Sequence, residues 1–555
     1  MVICAGNAFS ALSSRREMEK KREIYLWLRE QVPAGVLFCI VLFWLSINFF
    51  AAQQLDEVSQ VNQWLLFCTR GFYVLLTIAL FMLFLHKRVE DLVRAISWAI
   101  IVMGVVESVT AMMQLYGVSI SNNGIYRETG SFYNPGPLGG YLAVCIPVTI
   151  AMWLTSEKRW VRNMVIASLA LMIMTEPSTM SRSGWISAVV GSLYVVAFTT
   201  NFRSYLSKVS KQRVVIATVF LLVLAVASAI GIWHIKSESA FGRLFLWKIS
   251  CRAVMEAPLM GSSVFDAAYG RAQESYFATG GTEKEMLVAG TPDYAFNEYL
   301  HYAIEWGVPM MFLILMVVVL AVVVGHRQRR YGLCGGIIAL AVFSFSSYPM
   351  HIPAFVAIAI IMMTGCTVSE GRRRYLLCSV LIIAGVFLWT RQAEYESRKQ
   401  AMKKWGDIKY LYDSKRFKQA SQQYEKLYDD MKWNGRFLYG YGHSLNSINE
   451  YEKSNIVLEE AINHSCNSMI LNIMGKNYQA LGDFKRAEES FLRSLNRLPE
   501  RIYPHYLLFL LYSEEECYDE ESRQREADII LNHKWKIESD ATKEIKEKVL
   551  KQITR

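Results

Sequence analysis

The sequence predicts an all-α chain in two parts, a polytopic helical membrane domain followed by a solenoid of short helical repeats. Three observations predict it. Apolar runs of 17 to 25 residues recur between residues 34 and 391, the length needed to cross roughly 30 Å of hydrocarbon. The loops between these runs alternate between basic and non-basic. Residues 392–555 contain no such run and repeat on themselves with a period near 34. Lipid-facing backbone satisfies its hydrogen bonds only in helices or closed barrels, so the long runs read as helices.

The 555 residues are 53% hydrophobic and 19% charged, with a formal net charge of +10. That charge is not a nucleic-acid signal, because the basic residues cluster in short loops between spans, as topology requires. Residues 1–33 lack the short apolar core and small-residue cleavage site of a signal peptide, and Met18 is a plausible alternative start. The ten cysteines are scattered and none stand at metal-ligand spacing, so no metal or other cofactor is expected. Cys466 and Cys517 are the candidates for a disulfide if the tail lies outside the cytoplasm.

About eleven spans are expected, near residues 34–52, 63–85, 95–116, 135–155, 161–175, 184–200, 214–234, 300–325, 331–347, 353–369 and 375–391. The basic segments are the N-terminus (Arg15, Arg16, Lys20, Lys21, Arg22), Lys87/Arg88/Arg94, Lys158/Arg159/Arg162 and Arg203/Lys208/Lys211/Arg213, then Arg327/Arg329/Arg330 and Arg372/Arg373/Arg374. Every second loop is basic, which assigns these segments to the cytoplasm. Segments 53–62, 117–134, 176–183, 235–299 and 347–353 then face out, and an odd number of spans carries the tail out as well. In a bacterium this is an inner-membrane protein with a cytoplasmic N-terminus and a periplasmic C-terminal domain. The domains are therefore 1–33, 34–391 with the long periplasmic loop 235–299, and 392–555. A loop of that length inside a compact architecture is functional or disordered, and its apolar and aromatic content argues against disorder.

In the tail, Phe417-x-x-Ala420-x-x-x-Tyr424 recurs as Tyr451-x-x-Ser454-x-x-x-Leu458 and as Phe484-x-x-Ala487-x-x-x-Phe491, with Gly482 before the last unit and Pro499 closing it. This pattern resembles tetratricopeptide repeats, which implies stacked helix pairs and a surface for a protein partner. The competing reading is a helical extension that only stabilises the membrane domain.

Arginines recur at the outer mouths of spans. Arg127 precedes Gly130-Ser131-Phe132-Tyr133-Asn134-Pro135, a turn that launches a helix. Arg182 stands in Ser181-Arg182-Ser183-Gly184-Trp185, and Arg243 in Phe241-Gly242-Arg243-Leu244-Phe245-Leu246-Trp247. Each alone reads as a snorkelling side chain; three together suggest a pyrophosphate held at the membrane surface, since guanidinium groups grip phosphate bidentately and stay charged. At the end of the long loop, Asn297, His301 and Glu305 stand at i, i+4 and i+8, on one face of a helix starting near Pro292. They read as proton carriers facing a wet cavity or as a polar collar that sets span depth.

The order R-x-x-G-x-F-x-N-P, S-R-x-G-W, R-x-x-x-W, E-x-P-L-x-G (Glu256 to Gly261) and N-x-x-L-x-x-x-x-E-x-G, over residues 95 to 370, resembles the O-antigen ligase and polymerase superfamily, which includes bacterial O-oligosaccharyltransferases. The resemblance implies a membrane glycosyltransferase of GT-C type. Such an enzyme moves a glycan from an undecaprenyl-pyrophosphate carrier to lipid A core, another glycan or a protein, without metal or nucleotide sugar. The family carries His just before its Asn; this chain has Phe296 before Asn297. That role does not transfer to position 296: His301, Glu298 or Asp293 substitutes for it, or the acceptor needs less activation, or the activity has been lost. The expected roles are diphosphate neutralisation by Arg127, Arg182 and Arg243, and acceptor activation from Asn297, His301 and Glu305. The rival class is a non-enzymatic polysaccharide transporter or export scaffold; spans nearly free of charge disfavour passage across the membrane.

Overall fold

A computed structural model describes residues 89–200, 237–368, 390 and 392–554. No strand occurs among the described residues, and the chain divides into two compact units. The expected N-terminal segment 1–33, the spans at 34–52, 63–85 and 214–234, and nearly all of 375–391 lie outside the described residues.

In chain order the helices up to the tail are α1 (Val89–Leu115), α2 (Pro135–Thr155), α3 (Arg159–Thr175), α4 (Arg182–Thr199), α5 (Ser237–Glu256), α6 (Phe265–Ala278), α7 (Glu283–Val288), α8 (Glu298–Trp306), α9 (Val308–Arg327), α10 (Tyr331–Ser344) and α11 (Pro353–Thr367). By length and composition α1, α2 and α9 are able to cross a membrane, while α10 and α11 are shorter apolar helices. Helices α3 and α4, of 17 and 18 residues, stand where spans were expected at 161–175 and 184–200.

The first unit contains α1 to α4, α9 from Met316 onward, α10 up to Phe343, and α11. Its centre is α2, packed against α1, α3 and α4, with Leu142, Val144 and Cys145 fully buried. Where α4 meets α10 the backbones themselves touch: a Cβ on Gly191 would stand 2.6 Å from the Gly335 carbonyl oxygen. Small residues at a crossing allow this, and in lipid such close packing supplies much of the association energy.

The second unit contains α5 to α8, the start of α9, Ser344–Tyr348 and the tail from Glu396. The long loop is thus ordered, with its own core of Phe245, Ile249, Phe265, Tyr269, Phe277 and Ile304. Its far edge is tied by Glu285, which accepts from Lys248 Nζ at 2.7 Å and Tyr276 Oη at 2.8 Å. Burial alone would raise that carboxyl, but the bonds from Lys248, Thr282 and Tyr276 prevail and lower its pKa to about 2.

One expected element is corrected. The span read as a single helix over 300–325 is two helices, α8 and α9, broken at Gly307. The cause is a crossing chain. The turn from Glu256 to Gly261 runs against the break: Ser262 N donates to Ile304 O at 2.7 Å, Ser263 N to Glu305 O at 3.0 Å and Val308 N to Pro258 O at 2.8 Å. Gly307 (φ 86) and Gly261 (φ 71) take conformations L side chains avoid, and a Cβ on either would lie 2.2 or 2.4 Å from the other segment's backbone. Asn297, His301 and Glu305 therefore do not open a span; they belong to a separate short helix before it.

The tail comprises α12 (Gln392–Asp413), α13 (Phe417–Met431), α14 (Gly435–Asn446), α15 (Tyr451–Ile462), α16 (Ser468–Ala480), α17 (Phe484–Arg497), α18 (Ile502–Leu511), α19 (Glu520–Asn532) and α20 (Asp540–Ile553). From α13 to α20 each helix packs on the next. Helices begin at Phe417, Tyr451 and Phe484, the starts of the three sequence repeats. The small positions Ala420, Ser454 and Ala487 and the large ones Tyr424, Leu458 and Phe491 are all buried. The two tail thiols are not paired: Cys466 is buried beside Gly270, and Cys517 Sγ donates to Leu511 O at 2.9 Å.

The tail closes on the long loop within this unit. Glu274 of α6 pairs with Arg493 (2.7 Å) and Arg497 (2.9 Å) of α17, and Arg497 is 1% exposed. Asp293 pairs with Arg436 at 2.8 Å, and Gly270 lies against Cys466.

Candidate functional site

In the first unit, the segment after α1 is held by side chains of α1 itself. Gln114 Oε1 accepts from Thr129 N and Gly130 N, both at 2.8 Å, and its Nε2 donates to Gly130 O at 2.9 Å. Glu107 accepts from Ser131 N at 2.9 Å and from Ser131 Oγ at 2.5 Å. Asn122 donates to the carbonyls of Gly130 and Phe132. These bonds fix residues 129–132, so the order Gly130-Ser131-Phe132 of the motif is a clamped turn. Arg127 stands just before it and is exposed.

Asn134 then caps α2, accepting from Gly136 N at 2.8 Å. Ser181 caps α4, accepting from Gly184 N, and donates to Gly136 O, both at 3.3 Å. The two helix starts are thereby joined. Glu128 lies beside Ser178 of the turn leading to α4. Arg127 and Arg182 accordingly come from two neighbouring segments, and Arg182 is the first residue of α4, where the partial positive charge of the peptide dipoles also favours anions.

Two carboxyls that the sequence reading did not single out are buried at the same end. Glu128 is 4% and Glu176 6% exposed, and neither carboxylate oxygen of Glu176 has a hydrogen-bond partner among the described residues. Burial raises both pKa values, that of Glu176 well above the carboxylate range, while Ser178 partly offsets the effect on Glu128.

In the second unit, α5 presents Arg243 and, one turn on, Trp247 to the segment before α8. Trp247 Nε1 donates to Ala295 O at 3.2 Å, and the Arg243 guanidinium lies 5.5 Å from the Phe296 ring centroid. The R-x-x-x-W spacing thus has a physical purpose, because the two side chains reach adjacent residues, Trp247 the Ala295 carbonyl and Arg243 the Phe296 ring. Arg243 Nη1 also donates to Ser346 O at 3.0 Å. Around it stand Phe296 edge-on to Tyr348 (5.2 Å), Tyr348 stacked on Tyr294 (4.6 Å), and Phe345 edge-on to Trp247 (5.4 Å). Residues 345–348 were missed because the stretch Phe345-Ser346-Ser347-Tyr348 reads as the end of an apolar span.

Asn297 is the N-cap of α8, its Oδ1 accepting from Leu300 N at 3.1 Å. His301 and Glu305 form a close pair, Nε2 to Oε1 at 3.3 Å, with His301 4% exposed and stacked on Phe265 at 4.8 Å between centroids. Glu305 also accepts from Phe265 N at 3.3 Å. In this geometry a carboxylate stands beside Nε2 of the imidazole and orients the ring. Arg243, Asn297, His301 and Glu305 are all in this unit; Arg127 and Arg182 are in the other.

No curated protein matches the chain. Residues 167–315 match the family model described as O-antigen ligase. The matched stretch includes Arg182, Arg243, Phe296, Asn297, His301 and Glu305, and begins after Arg127. The resemblance to O-antigen ligases is thus carried by a stretch that begins in α3 and ends in α9.

Proposed function

We propose that this membrane protein is a glycosyltransferase that moves a glycan from an undecaprenyl-pyrophosphate carrier to an acceptor at the periplasmic face of the bacterial inner membrane. The observation that carries the reading is Arg243, held by Ser346 O and surrounded by aromatic rings inside the O-antigen ligase domain. A guanidinium suits the diphosphate, and aromatic faces suit the apolar faces of a sugar ring. The acceptor oxygen bonds to the anomeric carbon as the bond to the pyrophosphate breaks. The negative charge that grows on the leaving diphosphate is met by Arg243 of the second unit; for Arg127 and Arg182 of the first unit the same role is expected from their sequence motifs alone. The acceptor proton passes to a base of α8, for which the His301–Glu305 pair is the best placed, with Asn297 fixing the start of the helix. The reaction draws on no metal and no nucleotide sugar.

The tail is read as a tetratricopeptide-like solenoid, supported by helix starts at Phe417, Tyr451 and Phe484 and by the buried repeat positions. A repeat domain of this kind favours an acceptor or partner that is a protein over lipid A core. Lipopolysaccharide ladders and glycoprotein profiles of a deletion strain separate lipid A core, glycan and protein acceptors.

The test is transfer by the purified protein from a synthetic lipid-linked donor. Arg243→Ala is expected to lower the rate by about 10²–10³-fold with expression and membrane insertion intact. Full activity of that variant sinks the clamp. No transfer by the native protein, with every acceptor class offered, favours the export scaffold instead; growth of the glycan itself identifies a polymerase.

A further inference from the structure

Phe296 lies between the segment that Trp247 holds and the cap of α8. Its backbone is left-handed, with φ 48. Glycine, Asn and Asp accept that conformation; a bulky aromatic residue there is an outlier. Outliers of this kind persist where the surroundings impose them, and they cluster at ligand clamps. The surroundings are specific. The ring stands 5.5 Å from the Arg243 guanidinium, with its edge against Tyr348, and Tyr348 is fixed in turn by stacking on Tyr294. The next residue, Asn297, caps α8 through its Oδ1, which accepts from Leu300 N, so the backbone of Phe296 is fixed on both sides. A histidine at this position would exchange protons; phenylalanine offers only a π face, which attracts a cation.

We infer that Phe296 is a positioning residue for Arg243: its ring holds the guanidinium at the height where a donor diphosphate binds, and proton acceptance lies elsewhere in the site. The inference rests on the proposed transferase reading and deepens it, by assigning position 296 to donor binding instead of acceptor activation.

The experiment compares full-length Phe296→Leu, Phe296→Tyr and Phe296→His with the native protein and Arg243→Ala, measuring KM for the lipid-linked donor, kcat and the pH–rate profile. Loss of a cation–π contact corresponds to about 2- to 30-fold in affinity. Phe296→Leu is expected to raise the donor KM within that range with kcat within about twofold of native, the pattern of lost ground-state binding. Phe296→Tyr, which keeps the ring, restores the native KM. Phe296→His leaves the shape of the pH–rate profile unchanged. A native KM in Phe296→Leu overturns the inference, as does a Phe296→His variant with raised kcat and a new ionisation near that of imidazole. Should the leucine variant fail to fold, Phe296→Asn, whose side chain tolerates the left-handed backbone, is measured in its place, with the same KM increase expected and a native KM equally fatal. If Arg243→Ala transfers normally, the transferase clamp fails; if that variant is inactive and Phe296→Leu is native-like, only the role of Phe296 fails.

Discussion

Glu176 sits where α3 gives way to the turn before α4, one of its oxygens within 2.7 Å of where a Cβ on Gly184 would stand. A carboxyl buried with both oxygens unpartnered costs stability when charged, and burial accordingly lifts its pKa well above 4.5. The folded state then keeps a proton that the unfolded chain gives up above pH 4.5. The first unit is expected to lose stability as pH rises from that value until the folded-state pKa is passed. Glu176→Gln, neutral in both states, removes this dependence. It should be about 1–3 kcal/mol more stable than the native protein at pH 8, with the gain shrinking towards pH 5. Thermal unfolding in detergent at the two pH values checks this, and an equal gain at both would refute it. A fall in transfer activity alongside the gain would mark the carboxyl as kept for function at the expense of stability. Nothing in the sequence around Thr175-Glu176-Pro177 separates this residue from a solvated loop acid; only packing makes it unusual.

Helices and turns were more legible than residues. The starts of α2, α4 and the tail helices follow from caps, prolines and repeat period, all local signals. Arg127, Arg182 and Arg243 were singled out because arginine at an outer helix mouth is costly enough to need a reason. The break between α8 and α9 was not legible, since Trp306-Gly307-Val308 continues an apolar run and the breaking partner lies some 46 residues earlier, at Leu259 to Gly261. With that partner known, the motif from Glu256 to Gly261 acquires a cause: it must pass against Gly307 without a side chain between. Gly307→Ala is expected to destabilise the second unit by about 2–6 kcal/mol, combining backbone strain with overpacking. Gly290→Ala, with open space and no positive φ, should be near neutral. Limited proteolysis checks the contrast, with rapid cleavage near residues 256–261 expected only in the first variant. Equal resistance of the two would mean the turn does not lock the break.

At the scale of the whole molecule, contact constrains topology where charge counting only suggests it. Glu274 in the loop and Arg493 and Arg497 in the tail share one buried ion cluster, and Asp293 reaches Arg436. Severing such a cluster strands a buried guanidinium, so its partners belong together in the native state. Loop and tail must then lie on the same side of the membrane, which requires an even number of crossings between Val308 and Glu396. Helices α9, α10 and α11 supply three if each crosses, so the apolar run at 375–391 is expected to be the fourth. The basic segments Arg327/Arg329/Arg330 and Arg372/Arg373/Arg374 alternate in agreement, and loop and tail are then expected opposite the cytoplasm. An impermeant maleimide applied to intact spheroplasts should therefore label the exposed Cys251 of α5 and an Asp540→Cys variant of the tail, whose side chain is fully exposed. An Arg373→Cys variant should react only after permeabilisation. Labelling of Cys251 without the tail cysteine would separate loop from tail across the bilayer and make the Glu274 cluster impossible in the membrane. Labelling of both with Arg373→Cys also exposed would instead remove the crossing at 375–391 and require one of α9 to α11 not to span.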